Sequence, residues 1–224
     1  MMRHRAGDPG GDAPSADAPG TDVFRILTVC TGNICRSPQA EQLLRARLPA
    51  ALGIDAALLE VTSAGTMAWD GDPMDPPAAA QAARLGIADT AAHRARRLRP
   101  EQLARADLVL ALAVEHRGAA VRALPQAMPR SFTLIEFAAS VEALAAGGVT
   151  QRPAPLGDDG PAAFLRRAVT AARTARALLP PSAVRRLDID DPYRRSTSVY
   201  KRSADAVAEQ VDRVASALAA LARG

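Results

Sequence analysis

The chain has 224 residues, 48% of them hydrophobic and only 3% aromatic, which suits a single core built from Ala, Leu, Val and Ile. Of its 28 basic residues only Lys201 is a lysine, and no five of them run together; the net charge of +4 reads as a compositional bias toward arginine, and no nucleic-acid partner is expected. No apolar run is long enough for a bilayer, two cysteines make no disulfide framework, and His4, His93 and His116 lack spaced ligand partners, so no membrane, metal or cofactor is expected.

Residues 1–22 are rich in Gly, Pro, Ala and Asp and lack the apolar stretch of a secretory signal. They are expected to form a disordered tail on a cytoplasmic protein, ahead of one domain over 23–224. Residues 24–29 predict a buried strand. Ser37-Pro38 then opens a helix over 39–48, with Ala40, Leu43, Leu44 and Leu48 on one face. A second strand is predicted at 59–62, followed by a turn at Ser63-Ala64-Gly65-Thr66 and a helix over 78–85 ended by Gly86. A short helical piece at 100–106 leads to a strand at 108–112, a helix at 115–124 and a fourth strand at 131–134. The pattern weakens after Phe137; an insertion at about 138–185, carrying a helix at 161–179, is expected to pack on the surface. A long amphipathic helix at 196–221 closes the chain. Strands alternating with helices predict an α/β fold: one doubly wound domain whose four-stranded parallel sheet has helices on both faces. Ligands of such sheets sit beyond the C-terminal strand ends.

Cys30 stands at one of those ends. The stretch Cys30-Thr31-Gly32-Asn33-Ile34-Cys35-Arg36-Ser37-Pro38 links a strand to a helix N-terminus. Backbone N–H groups there have no intrahelical partners, and a curled turn aims them at a tetrahedral anion. Gly32 relieves crowding and Asn33 tolerates a left-handed conformation. Arg36 closes the ring as a fork for two phosphate oxygens. The field that holds phosphate also favours a thiolate, which makes Cys30 a nucleophile, with the Ser37 hydroxyl as its hydrogen-bond donor. A sulfur in line with a bound phosphorus suits a phosphocysteine intermediate.

The loop Cys30–Pro38 resembles the active-site loop of the low-molecular-weight protein-tyrosine phosphatases. The likeness continues through Ser63-Ala64-Gly65-Thr66, Gly71-Asp72-Pro73-Met74-Asp75, His93-Arg94-Ala95-Arg96-Arg97-Leu98 and Asp191-Pro192-Tyr193, in the family's order. It implies a phosphatase acting on phosphotyrosine in proteins and on small aryl phosphates, without metal or cofactor. A phenolate leaves more readily if it is given a proton. Asp188, Asp190 and Asp191 are the carboxyls at hand; the resemblance selects Asp191, before Pro192, and Asp190 remains its competitor. The resemblance further implies that Trp69 and Tyr193 sandwich the phenyl ring, that Thr31 and Ile34 line the rim, and that Ser63 and His93 brace Asn33. Trp69 reads equally as a loop anchor. Arg194, where relatives often carry an aromatic residue, is expected to replace one wall with a cation and to favour acidic residues near the target. Ala113 stands where many members carry an aspartate.

Cys35 lies on the same loop as the nucleophile, and a thiol there is placed to trap an oxidised Cys30 as a reversible disulfide. Two other functions fit parts of the pattern. Arsenate reduction through an external small thiol is one, since no cysteine follows Cys35 to carry a disulfide onward. A phosphate-binding module without turnover is the other, though the intact set Cys30, Arg36 and Asp191 speaks against it. Oligomeric state and the physiological phosphotyrosine protein are not legible in the chain.

Overall fold

The computed structural model describes residues 22–88, 90–147, 152–181 and 186–224. The tail expected at 1–22 falls outside them except for Asp22, whose carboxylate pairs with Arg166 at 2.7 Å. Four strands, β1 (Phe24–Cys30), β2 (Leu59–Gly65), β3 (Leu108–Ala111) and β4 (Ser131–Thr133), form one parallel sheet in the order β2-β1-β3-β4. Alternation along β1 divides the core. Phe24, Ile26 and Cys30 face the larger cluster, while Leu27 and Val29 face a smaller one with Leu103 and Ala120. The helices α1 (Arg36–Leu52), α5 (Leu134–Ala145), α6 (Gly160–Arg176) and α7 (Thr197–Arg223) cover the first face. Helices α3 (Pro100–Arg105) and α4 (Val114–Ala123) cover the second, and α2 (Pro76–Arg84) packs at the edge against Cys35 and Tyr200.

The chain leaves β1 for β2 on one side and returns to β3 on the other. The C-terminal ends of β1 and β3 therefore flank the switch point, where the crevice of an open parallel sheet lies. Cys30 ends β1 there, and Leu112 follows β3.

Three expectations need correction. Helix α1 begins at Arg36 with Cys35 at its N-cap and no side-chain cap, so Ser37 and Pro38 lie within its first turn rather than opening it; the Ser37 hydroxyl is engaged with Asn33 and Cys30 instead. Strand β2 runs three residues past Thr62, because Ser63, Ala64 and Gly65 stay in register with Thr28, Val29 and Cys30. The described parts of the segment expected at 138–185, residues 138–147 and 152–181, are also no surface appendage. Helix α5 begins directly from β4 without a loop, held by a capping box in which Thr133 and Glu136 exchange hydrogen bonds at 3.1 and 3.4 Å. Its Phe137, Val141 and Leu144, with Phe164 and Leu165 of α6, lie in the main core. Among the described residues no helix is long and apolar enough to cross a membrane.

Candidate active site

The turn after β1 is held from outside, so that its amides are left facing in. The Cys30 carbonyl accepts from Thr66 N–H, and the Thr31 carbonyl from Met67 N–H, both at 2.9 Å. The Ile34 carbonyl accepts from Asp75 N–H at 3.0 Å, and the Asn33 carbonyl from His93 Nε2 at 2.7 Å. Among the described residues, no protein acceptor takes the N–H groups of Thr31 through Cys35. The ring thus presents unpaired donors at the N-terminus of α1, the arrangement that binds a tetrahedral anion. Gly65 permits the close packing behind it: a Cβ there would stand 2.5 Å from the Thr31 carbonyl oxygen and 2.8 Å from the Asn33 nitrogen.

Asn33 sits at φ 55, in the left-handed region, and its amide is fully engaged. Nδ2 donates to Ser37 Oγ at 2.9 Å and to Ser63 Oγ at 2.8 Å, while Oδ1 accepts from Arg96 N–H at 2.8 Å. Ser63 Oγ in turn donates a hydrogen bond to Glu41 Oε2 at 2.5 Å. Ser37 Oγ accepts from Asn33, and its one proton has two acceptors within reach, Cys30 Sγ at 3.0 Å and the Ala64 carbonyl at 3.4 Å, of which the sulfur is the nearer. The contact with a carbonyl requires a proton on His93 Nε2, and burial holds its imidazole below the usual value. Ser63 and His93 thus lie where they brace Asn33. Glu41, the third member of the brace, escaped the sequence reading. The signal was available: Glu41 falls one turn before Leu44 and two before Leu48 on a buried face, where a carboxylate is costly unless paired.

Arg36 is buried beside Cys30. One Nη donates to the Ile189 carbonyl at 2.9 Å, and the other pairs with Asp191 at 3.0 Å. Its Nε is buried without a partner. The loop bearing Asp191 is docked on β3 by Ile189 N–H to the Leu112 carbonyl, 2.9 Å. That docking separates the candidate carboxyls. Asp188 caps α4 through Val114 N–H at 2.7 Å, and Asp190 lies 3.4 Å from Arg186. Only Asp191 faces the guanidinium of the loop.

A cleft of about 280 Å³ opens over Cys30, lined also by Thr31, Ile34, Met67, Trp69, Asp72, Asp191 and Tyr193. Trp69 is 80% exposed at its mouth. Arg194 is not among the lining residues. At φ 59 the chain turns its guanidinium over the Tyr193 ring, 5.1 Å from the centroid, as a cation–π contact. Cys35, also at the cleft, is a buried thiol 3.9 Å from Asp75; burial, then the Asp75 carboxylate, pushes it well above its usual value. Tyr200 donates to the same Asp75 at 2.5 Å and accepts from Arg194 N–H, so α7 ties the acid loop to the start of α2. Met67 and Asp72 of the cleft were also missed from sequence, as was His116. Buried under the loop, it meets Thr31 Oγ1 at 2.9 Å, and its Nδ1 has no partner.

A parallel sheet carrying this thiol, anion ring and carboxyl at its switch point defines the class of cysteine-dependent phosphatases. A model of the family described as low molecular weight phosphotyrosine protein phosphatase matches residues 25–148. A low molecular weight protein-tyrosine-phosphatase of Streptomyces coelicolor is 39% identical over 144 residues, 62% of this chain and 82% of the relative. A protein-arginine-phosphatase of Geobacillus stearothermophilus is 38% identical over 120 residues, 53% of this chain and 74% of the relative. The solved low molecular weight protein tyrosine phosphatase from T. tengcongensis superposes with a TM-score of 0.59 at 31% identity, covering 85% of this chain and 97% of that one. The chain belongs to the low molecular weight phosphotyrosine protein phosphatase family, hydrolases of phosphoric monoesters that act on phosphoproteins through a phosphocysteine intermediate.

Proposed function

We propose that Cys30, Arg36 and Asp191 carry out the hydrolysis of phosphotyrosine in proteins, and of small aryl phosphates, as follows. The phosphate enters the ring of amides, and Arg36 turns to it the Nε edge that lacks a protein partner. The same oxygens compete with Asp191 for the guanidinium, which frees that carboxyl to move toward the leaving oxygen. Cys30 Sγ attacks phosphorus, the P–O bond to the phenol breaks, and protonated Asp191 gives its proton to the departing oxygen. Ser37 donates to the sulfur while it is anionic and while it leaves. Asp191, now ionised, takes a proton from the water that displaces Cys30 from phosphorus.

The observation that carries this reading is the unpartnered Nε of a buried arginine beside a ring of unpaired amides, in the same cleft as a thiol with a serine hydroxyl 3.0 Å away. The walls favour a flat ring: Ile34, Met67, Trp69 and Tyr193 are apolar or aromatic. Phosphoarginine is the competing substrate, because one relative of 38% identity is a protein-arginine-phosphatase. Hydrolysis of p-nitrophenyl phosphate by the wild type, lost in Cys30→Ser, tests the chemistry. Phosphotyrosyl and phosphoarginyl forms of one protein, assayed side by side, test the substrate. Faster release from phosphoarginine overturns the assignment to tyrosine.

A further inference from the structure

The carboxylates around the cleft are partnered, with one exception. Asp191 pairs with Arg36, and Asp75 with Tyr200. Asp70 pairs with Arg99 at 2.7 Å and accepts from Arg97 N–H. The carboxylate of Asp72 has no hydrogen-bond or ion-pair partner among the described residues, although Asp72 lines the cleft. Its backbone is fixed: Asp72 N–H reaches the Trp69 carbonyl at 3.4 Å, and its carbonyl accepts from Ala95 N–H at 2.8 Å. A left-handed Gly71, φ 96, completes the turn. The exposed Trp69 and the unpartnered Asp72 thus belong to one pinned turn, and both line the cleft. An aromatic face and a carboxylate side by side are the two groups that attract an alkylammonium or guanidinium. Arg194, the cation expected to oppose this, is engaged on Tyr193.

We infer that Asp72, with Trp69, is a specificity element that selects phosphotyrosine sites flanked by a lysine or arginine. This rests on the phosphatase reading above and narrows its substrate class. It runs against the chain's overall charge of +4, which by itself favours acidic peptides. Charges farther than about 10 Å from the mouth are screened, so the contact at the mouth decides.

The test uses alanine-based phosphotyrosine peptides in which lysine, or in a parallel set glutamate, is scanned through the positions flanking the phosphotyrosine. The reading is the ratio of kcat/KM for a lysine peptide over its glutamate counterpart at low salt. At the best position a ratio of about three to five is expected, as for a partly exposed ion pair, and it falls toward one in salt. Asp72→Asn brings the ratio to about one, and Asp72→Arg inverts it. Taking the ratio cancels any general loss of activity in the variants. If the wild type cleaves these peptides with a ratio of one or below at every position, or if Asp72→Arg keeps the lysine preference, the specificity element is refuted while the phosphatase stands. If the wild type cleaves no aryl phosphate, the phosphatase reading itself fails.

Discussion

His116 gives the structure a measurable acid weakness. Its imidazole is buried beneath the phosphate loop, and desolvation, then the Arg36 guanidinium, pushes its pKa down to about 4. In the unfolded chain the same group titrates near its ordinary value of about 6.5. Between those values the unfolded chain holds a proton that the native chain refuses, so stability rises with pH through this window and falls on acidification. From pH 7.5 to pH 5 the loss from this one site is about 2 kcal/mol, or about 4–8 °C in Tm for a chain of this size. The variant His116→Gln keeps a donor for Thr31 but cannot titrate. Urea unfolding of both proteins at the two pH values isolates the effect, because any fixed cost of the substitution cancels in each protein's own pH difference, and His93 contributes equally to both. The wild type is expected to lose about 2 kcal/mol more than His116→Gln. Equal losses would refute the burial of a neutral imidazole at this position.

Asp191→Asn is expected to lower kcat for phosphotyrosine by about a hundredfold or more and to remove the alkaline fall of the pH profile, since that limb reports loss of the acid's proton; an unchanged profile moves the acid to Asp190. Gly65→Ala drives a methyl group against the Thr31 carbonyl and should cost about a hundredfold in kcat/KM for p-nitrophenyl phosphate while far-UV circular dichroism stays native; full activity would mean that the ring tolerates displacement. Mild peroxide is expected to inactivate the wild type reversibly, with Cys35 trapping the oxidised Cys30, and to inactivate Cys35→Ala irreversibly. Equal recovery of the two after thiol treatment counts against Cys35 as the trap.

The phosphate loop was legible in sequence because its chemistry is local: the cysteine, the turn residues and the arginine fall within seven consecutive positions, Cys30 to Arg36. The sheet was legible for a related reason, since short apolar runs bounded by turn residues read as buried parallel strands. What failed was non-local. Ser63 to Gly65 look like a turn in isolation, yet pairing with β1 keeps them extended. Helix α5 was obscured because it starts at the last residue of a strand, so the apolar run through Leu134 and Ile135 shows no break between the two periodicities. Glu41 and His116 act through partners 22 and 85 positions away, Ser63 and Thr31. Arg194 was misread because only the fold shows that its guanidinium lies over Tyr193.

The docking of Ile189 on Leu112 and Arg36 has an implication for biosynthesis. Arg36 meets its carbonyl partner 153 positions downstream, and α7, which fills the core against α1 and α5, lies further on still. A nascent chain on the ribosome carries Cys30 and Arg36 long before Asp191, the proposed proton donor, exists. Hydrolytic competence therefore arrives late in translation, once the C-terminal stretch emerges and settles against the sheet.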